Sequence, residues 1–250
     1  MTANISFWLE KNAAFTPEKI AIRFEGKDIT YRSFTQKVHD HARALKHIYR
    51  VGRGARVAFL GMNHPDLLYL FFSCARLGAI FLPLNWRLAV PEHLFILKDA
   101  TAKLLICDAE FKEHADKLRD DLPDCDFISS DFEADNWHNL NKDLLITEGD
   151  NSNPHVTLET PFLLVYTSGT TGRPKGAILT QNAIQTNAHN SIHYSGMTDT
   201  DHILTALPMF HVGGLNIHTT PAFYAGATVT IHRRFNPEEI LRSIQTENPT

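Results

Sequence analysis

Apolar residues follow two alternating spacings along this chain, one typical of β-strands and one typical of α-helices. Short apolar runs occur at 20–24, 56–60 and 103–107, and helical spacing occurs in the segments between them. Strands that alternate with helices form largely parallel sheets with helices on their faces. The pattern therefore predicts an α/β fold built mostly from parallel sheets flanked by helices.

Two helices have clear boundary signals. His64-Pro65-Asp66 places a proline in the first turn of a helix that ends at Leu77-Gly78. Thr30 or Ser33 is a candidate N-cap for a helix that runs to about Tyr49. These signals predict where the helices lie between the first strands.

Residues 129–160 interrupt this regular alternation. They are rich in Asp, Asn, Ser and Glu and have weak apolar periodicity, so we interpret them as a polar linker or surface excursion. We predict a first α/β unit over 1–128 and a second over 161–250, which resumes with a buried strand at 162–166. A long helix is predicted from about 180 to 193.

Composition and charge exclude several classes of protein. The 250 residues are 43% hydrophobic and 21% charged, as in ordinary globular domains. The net charge is −4 and the basic residues are dispersed, so we expect no nucleic-acid partner. The most apolar run, 67–84, is interrupted by Arg76, Gly78 and Pro83, and we interpret it as a buried helix and strand rather than a transmembrane segment.

The N-terminus and the cysteines bear on the compartment. The first residues lack a basic region followed by an apolar one, so we expect no signal peptide. Cys74, Cys107 and Cys125 form no C-x-x-C pair. We interpret them as reduced thiols and expect a cytoplasmic protein.

The strongest candidate for chemistry is the segment Tyr166-Thr-Ser-Gly-Thr-Thr-Gly-Arg-Pro-Lys-Gly176, which we expect between a strand and a helix. Its glycines let the backbone approach a ligand closely, its hydroxyls can donate hydrogen bonds, and its lysine supplies positive charge. Such a set suits a phosphate ligand. The predicted phosphate-binding residues are Thr167, Ser168, Gly169, Thr170, Thr171, Gly172 and Lys175.

Other motifs fit this chain poorly. A Walker A loop requires Gly-Lys followed by Ser or Thr, but here the lysine lies between proline and glycine. No G-x-G-x-x-G occurs. His189 and His193 have the spacing of a zinc motif, but Asn190 replaces its glutamate, so we predict no metal held by protein side chains.

At this point the sequence resembles the adenylate-forming superfamily, which includes acyl-CoA synthetases, aryl-CoA ligases, luciferases and the adenylation domains of peptide synthetases. Residues 166–176 match its signature loop position for position. Residues 72–88 look like its helix–strand segment ending in Pro-Leu-Asn, 29–31 its early strand motif, and 207–215 its acyl-pocket motif. The resemblance spans nearly the whole chain and implies that 1–250 form the N-terminal part of the AMP-binding large domain.

The resemblance also implies a two-step reaction. A carboxylate attacks the α-phosphate of ATP, giving an acyl-adenylate and pyrophosphate, and the thiol of coenzyme A then displaces AMP. The implied catalytic residues are Lys175 and His211, with Mg²⁺ bridging phosphate oxygens. The substrate contacts that it implies are Phe210, His211, Gly213 and Gly214.

The acyl-pocket motif bears on the substrate class. Relatives that activate amino acids usually carry an aspartate directly after the phenylalanine, whereas here Phe210 is followed by His211. A buried ammonium group without a carboxylate would be costly. We therefore expect a fatty acid or another apolar acid, and aryl and succinylbenzoate-like acids also fit.

Several motifs of the family do not occur in this chain. These are the segment that stacks on adenine, the aspartate for the ribose, and the C-terminal domain with its lysine. We therefore expect the 250 residues alone to have little ligase activity. A non-catalytic nucleotide-binding or interaction module, transfer to a carrier protein, a homodimer, and a C-terminal portion supplied as a separate chain remain open.

Overall fold

The computed structural model of the protein describes residues 4–146, 148–167 and 173–250. In these ranges the strands are β1 (Ile20–Phe24), β2 (Lys27–Thr30), β3 (Arg56–Leu60), β4 (Ile80–Pro83), β5 (Leu104–Cys107), β6 (Asp126–Ser129), β7 (His138–Asn139), β8 (Pro161–Thr167), β9 (Lys175–Thr180), β10 (His202–Thr205) and β11 (Thr228–Ile231). The α-helices are α1 (Phe7–Phe15), α2 (Tyr31–His47), α3 (Pro65–Leu77), α4 (Val90–Asp99), α5 (Lys112–Asp116), α6 (Leu140–Ile146), α7 (Gln181–Ser195), α8 (Val212–Asn216), α9 (Thr219–Ala225) and α10 (Pro237–Glu247).

The larger sheet has the strand order β7-β6-β5-β3-β4-β8-β9 in the described part of the chain. Neighbouring strands are parallel except for the antiparallel pair of β8 and β9. At its centre, Val57 lies opposite Phe81 on one side and Leu104 on the other. The predicted α/β architecture of mostly parallel sheets flanked by helices is therefore confirmed.

The smaller sheet joins the two ends of the chain. Its order is β10-β11-β1-β2, with β1 parallel to β11 and antiparallel to β2. Ile22 of β1 lies opposite Val229 of β11. Residues after 160 thus contribute strands to both sheets.

Helix α3 packs against the larger sheet and against α2, and it is buried along almost its whole length. Phe71 contacts Phe162 of β8, with ring centroids 4.6 Å apart. Phe72, on the next position, contacts Phe34 of α2 at 5.7 Å and Phe223 of α9 at 6.1 Å. Edge-to-face packing of this kind adds about 0.5–1.5 kcal/mol per pair beyond the burial of area.

The ends of α3 explain why its bounds match the sequence prediction. His64 caps the helix, since its Nδ1 accepts a hydrogen bond from the Asp66 N–H at 3.1 Å. Gly78 ends it at φ 72°, a left-handed conformation that favours glycine. The interpretation of 67–84 as a helix and a strand is confirmed, and no helix in the described ranges has the length and apolar character needed to span a membrane.

Local details differ from the sequence predictions. A strand, β9, lies between residue 174 and the helix predicted from about 180. It was not predicted, because its first four residues are exposed. Residues 212–225 form two short helices, α8 and α9. Helix α1 was not predicted, since it carries no continuous apolar stripe.

The segment 129–160 contributes regular structure. It contains β7, which extends the larger sheet beyond β6, and α6. Leu140 and Val156 are buried. The division of the chain into units on either side of this segment stays a prediction.

An ionic cluster links α1 to α3 and to the segment near residue 151. The guanidinium of Arg76, whose side chain is 11% exposed, donates to the Glu10 carboxylate and to Asn151 Oδ1 at 2.7 Å. His39 lies 3.3 Å from Glu10. The hydrogen bond with His39 and the charge of Arg76 lower the pKa of Glu10, although burial opposes this.

We predict that Arg76→Met lowers the free energy of unfolding by about 2–3 kcal/mol at pH 7, because Glu10 loses its partner in a half-buried site. Urea titration measures the change. The folded-state pKa of Glu10 is lowered, so its contribution is present above the unfolded value of about 4.3 and is lost as the pH falls through the folded value. The difference between the two proteins should therefore shrink on acidification.

Arg32→Met is the matched control, because Arg32 pairs with Glu18 where both side chains are largely exposed. It should change the free energy of unfolding by less than about 0.5 kcal/mol. Equal losses in the two variants would contradict a structural role for the cluster.

Candidate functional site

A cavity of about 470 Å³ lies beside the carboxyl ends of β4 and β8. Its walls are mainly apolar, with Leu82, Leu88, Ile96 and Val165. Polar groups come from Asn85, Glu92, Thr167 and His211. Ligands in open α/β sheets gather at the carboxyl ends of strands, so this is the position where a binding site is expected.

The cavity brings together residues that the sequence predicted to bind phosphate and residues that it predicted to contact the substrate. Thr167 is the last residue of β8, and Phe210 and His211 come from the loop after β10; all three line the cavity. Lys175 is the first residue of β9 and lies opposite Thr167 in the ladder. Five further predicted phosphate-binding residues lie outside the described residues: Ser168, Gly169, Thr170, Thr171 and Gly172.

The candidate phosphate segment joins two antiparallel strands, which corrects the expected strand–loop–helix arrangement. Tyr166 pairs with Gly176 in the ladder. A Cβ atom on Gly176 would lie 2.8 Å from Leu164 Cδ1 and 3.1 Å from Tyr166 Cζ. The glycine at 176 therefore gives the tyrosine ring space to lie across β9.

The hydroxyl groups of Tyr166 and Thr167, at the end of β8, differ in how strongly protein groups bind them. The Tyr166 hydroxyl donates to Asp99 Oδ2 at 2.5 Å. Burial, and then this hydrogen bond, raise the pKa of Tyr166, so the phenol stays neutral. The Thr167 hydroxyl is 3.5 Å from the Lys175 carbonyl oxygen, where a hydrogen bond is weak, so it is available to a ligand.

The position of His211 defines which ring nitrogen carries the proton. His211 is the N-cap of α8, and its Nδ1 accepts a hydrogen bond from the Gly213 N–H at 3.0 Å. A neutral imidazole that accepts at Nδ1 has its proton on Nε2. The exposed ring of His211 can therefore donate from Nε2 to a ligand in the cavity.

Phe210 is held by neighbours from the loop after β4. Its ring lies edge-on to Trp86, with centroids 6.1 Å apart. The guanidinium of Arg87 lies 4.7 Å from the Trp86 ring and 5.8 Å from the Phe210 ring. Aromatic faces attract cations, so Arg87 stabilises this pair at the cavity rim.

The two predicted substrate glycines have different surroundings. A Cβ on Gly214 would lie 2.3 Å from the Pro208 carbonyl oxygen and 2.6 Å from that of Leu207. A Cβ on Gly213 would meet only the His211 ring, at 3.1 Å from Nδ1. Backbone packing therefore requires glycine at 214, whether or not either glycine also contacts a substrate.

Asn63, which the sequence interpretation did not single out, fixes the loop before His211. Its side chain lies after β3 and is 3% exposed. The amide Nδ2 donates to the carbonyls of Leu207 and His232, each at 3.0 Å, and Oδ1 accepts from the Met209 N–H at 2.8 Å. One side chain thus joins the ends of β3, β10 and β11. A polar residue three positions after a buried strand was the only local signal.

Buried His93 and half-buried His114 form a pair that supports the cavity wall at Asn85. His93 Nε2 donates to the Asn85 carbonyl at 3.0 Å, and its Nδ1 lies 2.7 Å from His114 Nε2. Burial, and then the nearby His114, lower the pKa of His93 to about 4. His93 is therefore neutral near pH 7 and accepts from His114 while it holds the loop at Asn85.

Comparison with known proteins identifies one family model and relatives that are CoA ligases or synthases. The sequence model of the AMP-binding enzyme family matches residues 9–250. Indoleacetate–CoA ligase of Aromatoleum aromaticum is 44% identical over 98% of this chain and 48% of its own length. A feruloyl-CoA synthase of Amycolatopsis is 33% identical over 97% of this chain and 47% of its own length.

A solved structure agrees with these matches. The o-succinylbenzoate CoA synthetase of Bacillus subtilis, in complex with its acyl-adenylate intermediate, superposes with a TM-score of 0.82 at 28% identity. The match covers 97% of this chain and 47% of that protein. The chain spans about half the length of the curated relatives it matches.

We predict that Asn63→Leu lowers the free energy of unfolding by about 3 kcal/mol, because it leaves buried backbone groups without partners. Hydrogen exchange should show faster exchange of the Met209 amide. Asn139→Leu is the control, since Asn139 also bonds backbone groups, Phe132 O and Lys142 N, but lies far from the cavity. Unchanged protection of Met209 would rule out the assigned role of Asn63.

The two glycines give a second prediction. Gly214→Ala should destabilise the protein by about 3 kcal/mol or more, because its new methyl group overlaps fixed backbone oxygens. Gly213→Ala should cost about 1 kcal/mol or less, because only the His211 ring must move. Thermal unfolding of both variants measures the difference, and similar losses would contradict this account.

Proposed function

Since the chain belongs to the AMP-binding enzyme family, we propose that it provides the phosphate-binding and acyl-binding part of an AMP-forming acid–CoA ligase. The observation that carries the proposal is the shared cavity of Thr167, Phe210 and His211, with Lys175 beside Thr167 on the adjoining strand. The position of the candidate phosphate-binding segment beside an apolar cavity supports the proposal. Such a site suits an acid whose carboxylate reacts with the α-phosphate of ATP.

The proposed reaction has two displacements. A carboxylate oxygen of the substrate attacks the α-phosphorus of ATP, and pyrophosphate leaves with the electrons of the broken P–O bond. The sulfur of coenzyme A then attacks the acyl carbon, and AMP leaves. In such reactions the protein mainly positions the groups and neutralises charge.

The residues of this chain would act in the first displacement. The Lys175 ammonium and the Thr167 hydroxyl would bind phosphate oxygens, together with the hydroxyls at 168, 170 and 171. His211 would donate from Nε2 to the substrate carboxylate or to the charge that develops on it. Mg²⁺ would neutralise part of the negative charge of the triphosphate that these residues hold.

We propose an apolar, aromatic carboxylic acid as the substrate, with a fatty acid as the alternative. The cavity walls are apolar, and the carboxylate that reaches it, Glu92, already accepts a hydrogen bond from the Ala89 N–H at 2.8 Å. One oxygen of Glu92 is thus engaged with the backbone at the start of α4, and no aspartate follows Phe210. The names of the relatives, which refer to indoleacetate, ferulate and succinylbenzoate, support an aromatic acid.

Several further features are part of the proposal. The adenine and ribose contacts would come from a C-terminal portion, either continuous with this chain or a separate chain, and coenzyme A rather than a carrier protein would be the acceptor. The three cysteines are buried thiols, which suits a cytoplasmic enzyme. The alternative function is a non-catalytic nucleotide-binding or interaction module.

The test is pyrophosphate release by the enzyme at the length of its relatives, with indoleacetate, ferulate, 2-succinylbenzoate, palmitate and phenylalanine. We expect activity with at least one aromatic acid and none with phenylalanine. Lys175→Ala and Thr170→Ala should each lower kcat/KM for ATP by about 10- to 100-fold, the effect of losing one hydrogen bond to a charged group. The 250 residues alone should release little pyrophosphate.

Lys27→Ala is the control, because Lys27 is an exposed lysine in the other hairpin, away from the cavity. It removes the same charge and should leave kcat/KM unchanged. Equal effects of Lys27→Ala and Lys175→Ala would remove the support for a phosphate site at 166–176. Efficient use of phenylalanine would contradict the proposed substrate class.

A further inference from the structure

The turn that follows β3 carries Asn63 and packs against the end of β5. A Cβ atom on Gly61 would lie 2.7 Å from Phe59 Cζ and 3.0 Å from Asp108 Oδ2. A residue with a side chain at this position would have to displace one of these neighbours. The turn of residues 61–63 and the Asp108 carboxylate are therefore in direct contact.

Asp108 is the residue after β5, and its side chain is 6% exposed. Its Oδ2 accepts a hydrogen bond from the Met62 N–H at 3.1 Å, whereas the buried Oδ1 has no hydrogen-bond partner among the described residues. Burial raises the pKa of Asp108, although the Met62 N–H and the charge of Arg233 oppose this. A buried carboxylate that is bonded through one oxygen gives little net stability, so stability alone does not account for it.

Arg233 joins the same turn to the end of β11 in two ways. Its guanidinium lies 3.4 Å from Asp108 Oδ2 and 3.3 Å from Glu110 Oε2. Its backbone carbonyl oxygen accepts a hydrogen bond from the Asn63 N–H at 3.2 Å. Opposite charges attract more strongly away from bulk water, and the Arg233 side chain is only 31% exposed. The ends of β3, β5 and β11 are thus joined at residues 61–63.

Asn63 passes this restraint to the loop that carries His211. Its Oδ1 accepts a hydrogen bond from the Met209 N–H at 2.8 Å, two residues before His211. Asp108 and Arg233 do not line the cavity in the described part of the chain. They therefore act on a ligand there through the turn and Asn63.

We infer that Asp108 and Arg233 are positioning residues for the acid-binding side of the site. Their ion pair fixes the turn 61–63, and the turn fixes Asn63 and the loop that carries Phe210 and His211. The candidate phosphate segment is held separately, by the pairing of β8 with β9. The ion pair should therefore affect use of the carboxylic acid more than use of ATP. The kinetic part of this inference rests on the proposed function, whereas the structural part rests on the contacts alone.

The test compares Asp108→Leu with Asp108→Asn in the enzyme at the length of its relatives. Asp108→Leu leaves the Met62 N–H without a partner, so the Met209 amide should exchange its hydrogen about 10-fold faster. The KM for the acid should rise about 10-fold, because the loop is displaced, while the KM for ATP should change less than about twofold. A loss of folded enzyme would instead lower kcat and leave both KM values unchanged. The amide oxygen that Asp108→Asn introduces can still accept from Met62, so both readouts should stay within about threefold of the parent.

Arg233→Met is a second variant that keeps the backbone carbonyl which accepts from Asn63. It should speed exchange of the Met209 amide at least about threefold, because it leaves the buried charge of Asp108 unpaired. In the Asp108→Asn background the same substitution should change exchange less than about 1.5-fold, since a neutral amide needs no cation. This difference between the two backgrounds identifies the ion pair itself as the positioning element.

The matched control is Asp40→Leu, since Asp40 also pairs with an arginine, Arg43, and both partners lie on α2. It should leave the Met209 exchange rate and both KM values unchanged. Thermal unfolding verifies that each variant is folded. If Asp108→Leu does not fold, Arg233→Met carries the same test in both readouts.

Four outcomes would overturn the inference. These are unchanged Met209 exchange in the Asp108→Leu and Arg233→Met variants, equal effects of Asp108→Leu and Asp40→Leu, an unchanged KM for the acid in an active Asp108→Leu enzyme, and a KM for ATP that rises as much as the KM for the acid. Hydrogen exchange needs no turnover. An enzyme that is inactive with every acid but shows the expected exchange would therefore count against the proposed function alone.

Discussion

The hydrogen bonds of the Asn63 side chain are the constraint on which the site geometry depends. A buried amide is tolerated only if its donors and acceptor are satisfied, and here the partners lie on Leu207, Met209 and His232. These partners belong to the ends of two strands of the smaller sheet, whereas Asn63 follows the central strand of the larger one. The two sheets are thereby fixed to each other at the level where Phe210 and His211 leave the loop.

Local signals predicted those elements whose boundaries are set by local chemistry. Helix α3 was predicted with its observed ends, because a proline in the first turn and Gly78 at the left-handed position act within a few residues. Strand β9 was not predicted, since Lys175 to Ile178 are exposed and owe their conformation to pairing with β8. The sequence pattern detects burial, and an exposed edge strand offers little of it.

The candidate site also contains residues that local sequence signals predict and residues whose partners are distant in sequence. Thr167, Phe210 and His211 stand in motifs that can be recognised by their spacing, and the fold places them on one cavity. The supports of these residues could not be predicted, because Tyr166 bonds Asp99, which is 67 positions away, and Asn63 bonds Met209, 146 positions away. Sequence spacing carries no information about such partners. Gly214 belongs to both groups: its motif was recognised, but the reason for a glycine became visible only in the contact with the Pro208 carbonyl.

The antiparallel pairing of β8 and β9 determines where insertions in the candidate phosphate segment would change the strand register. Thr167 and Lys175 face each other in the ladder, so the segment between them begins and ends at facing positions of two adjacent strands. A one-residue insertion within β9 would turn its side chains to the opposite face of the sheet. An insertion between the strands would leave the ladder intact and change only the reach of the connecting segment. Strand register therefore constrains insertions within β9, whereas the ladder sets no limit on the number of residues between the two strands.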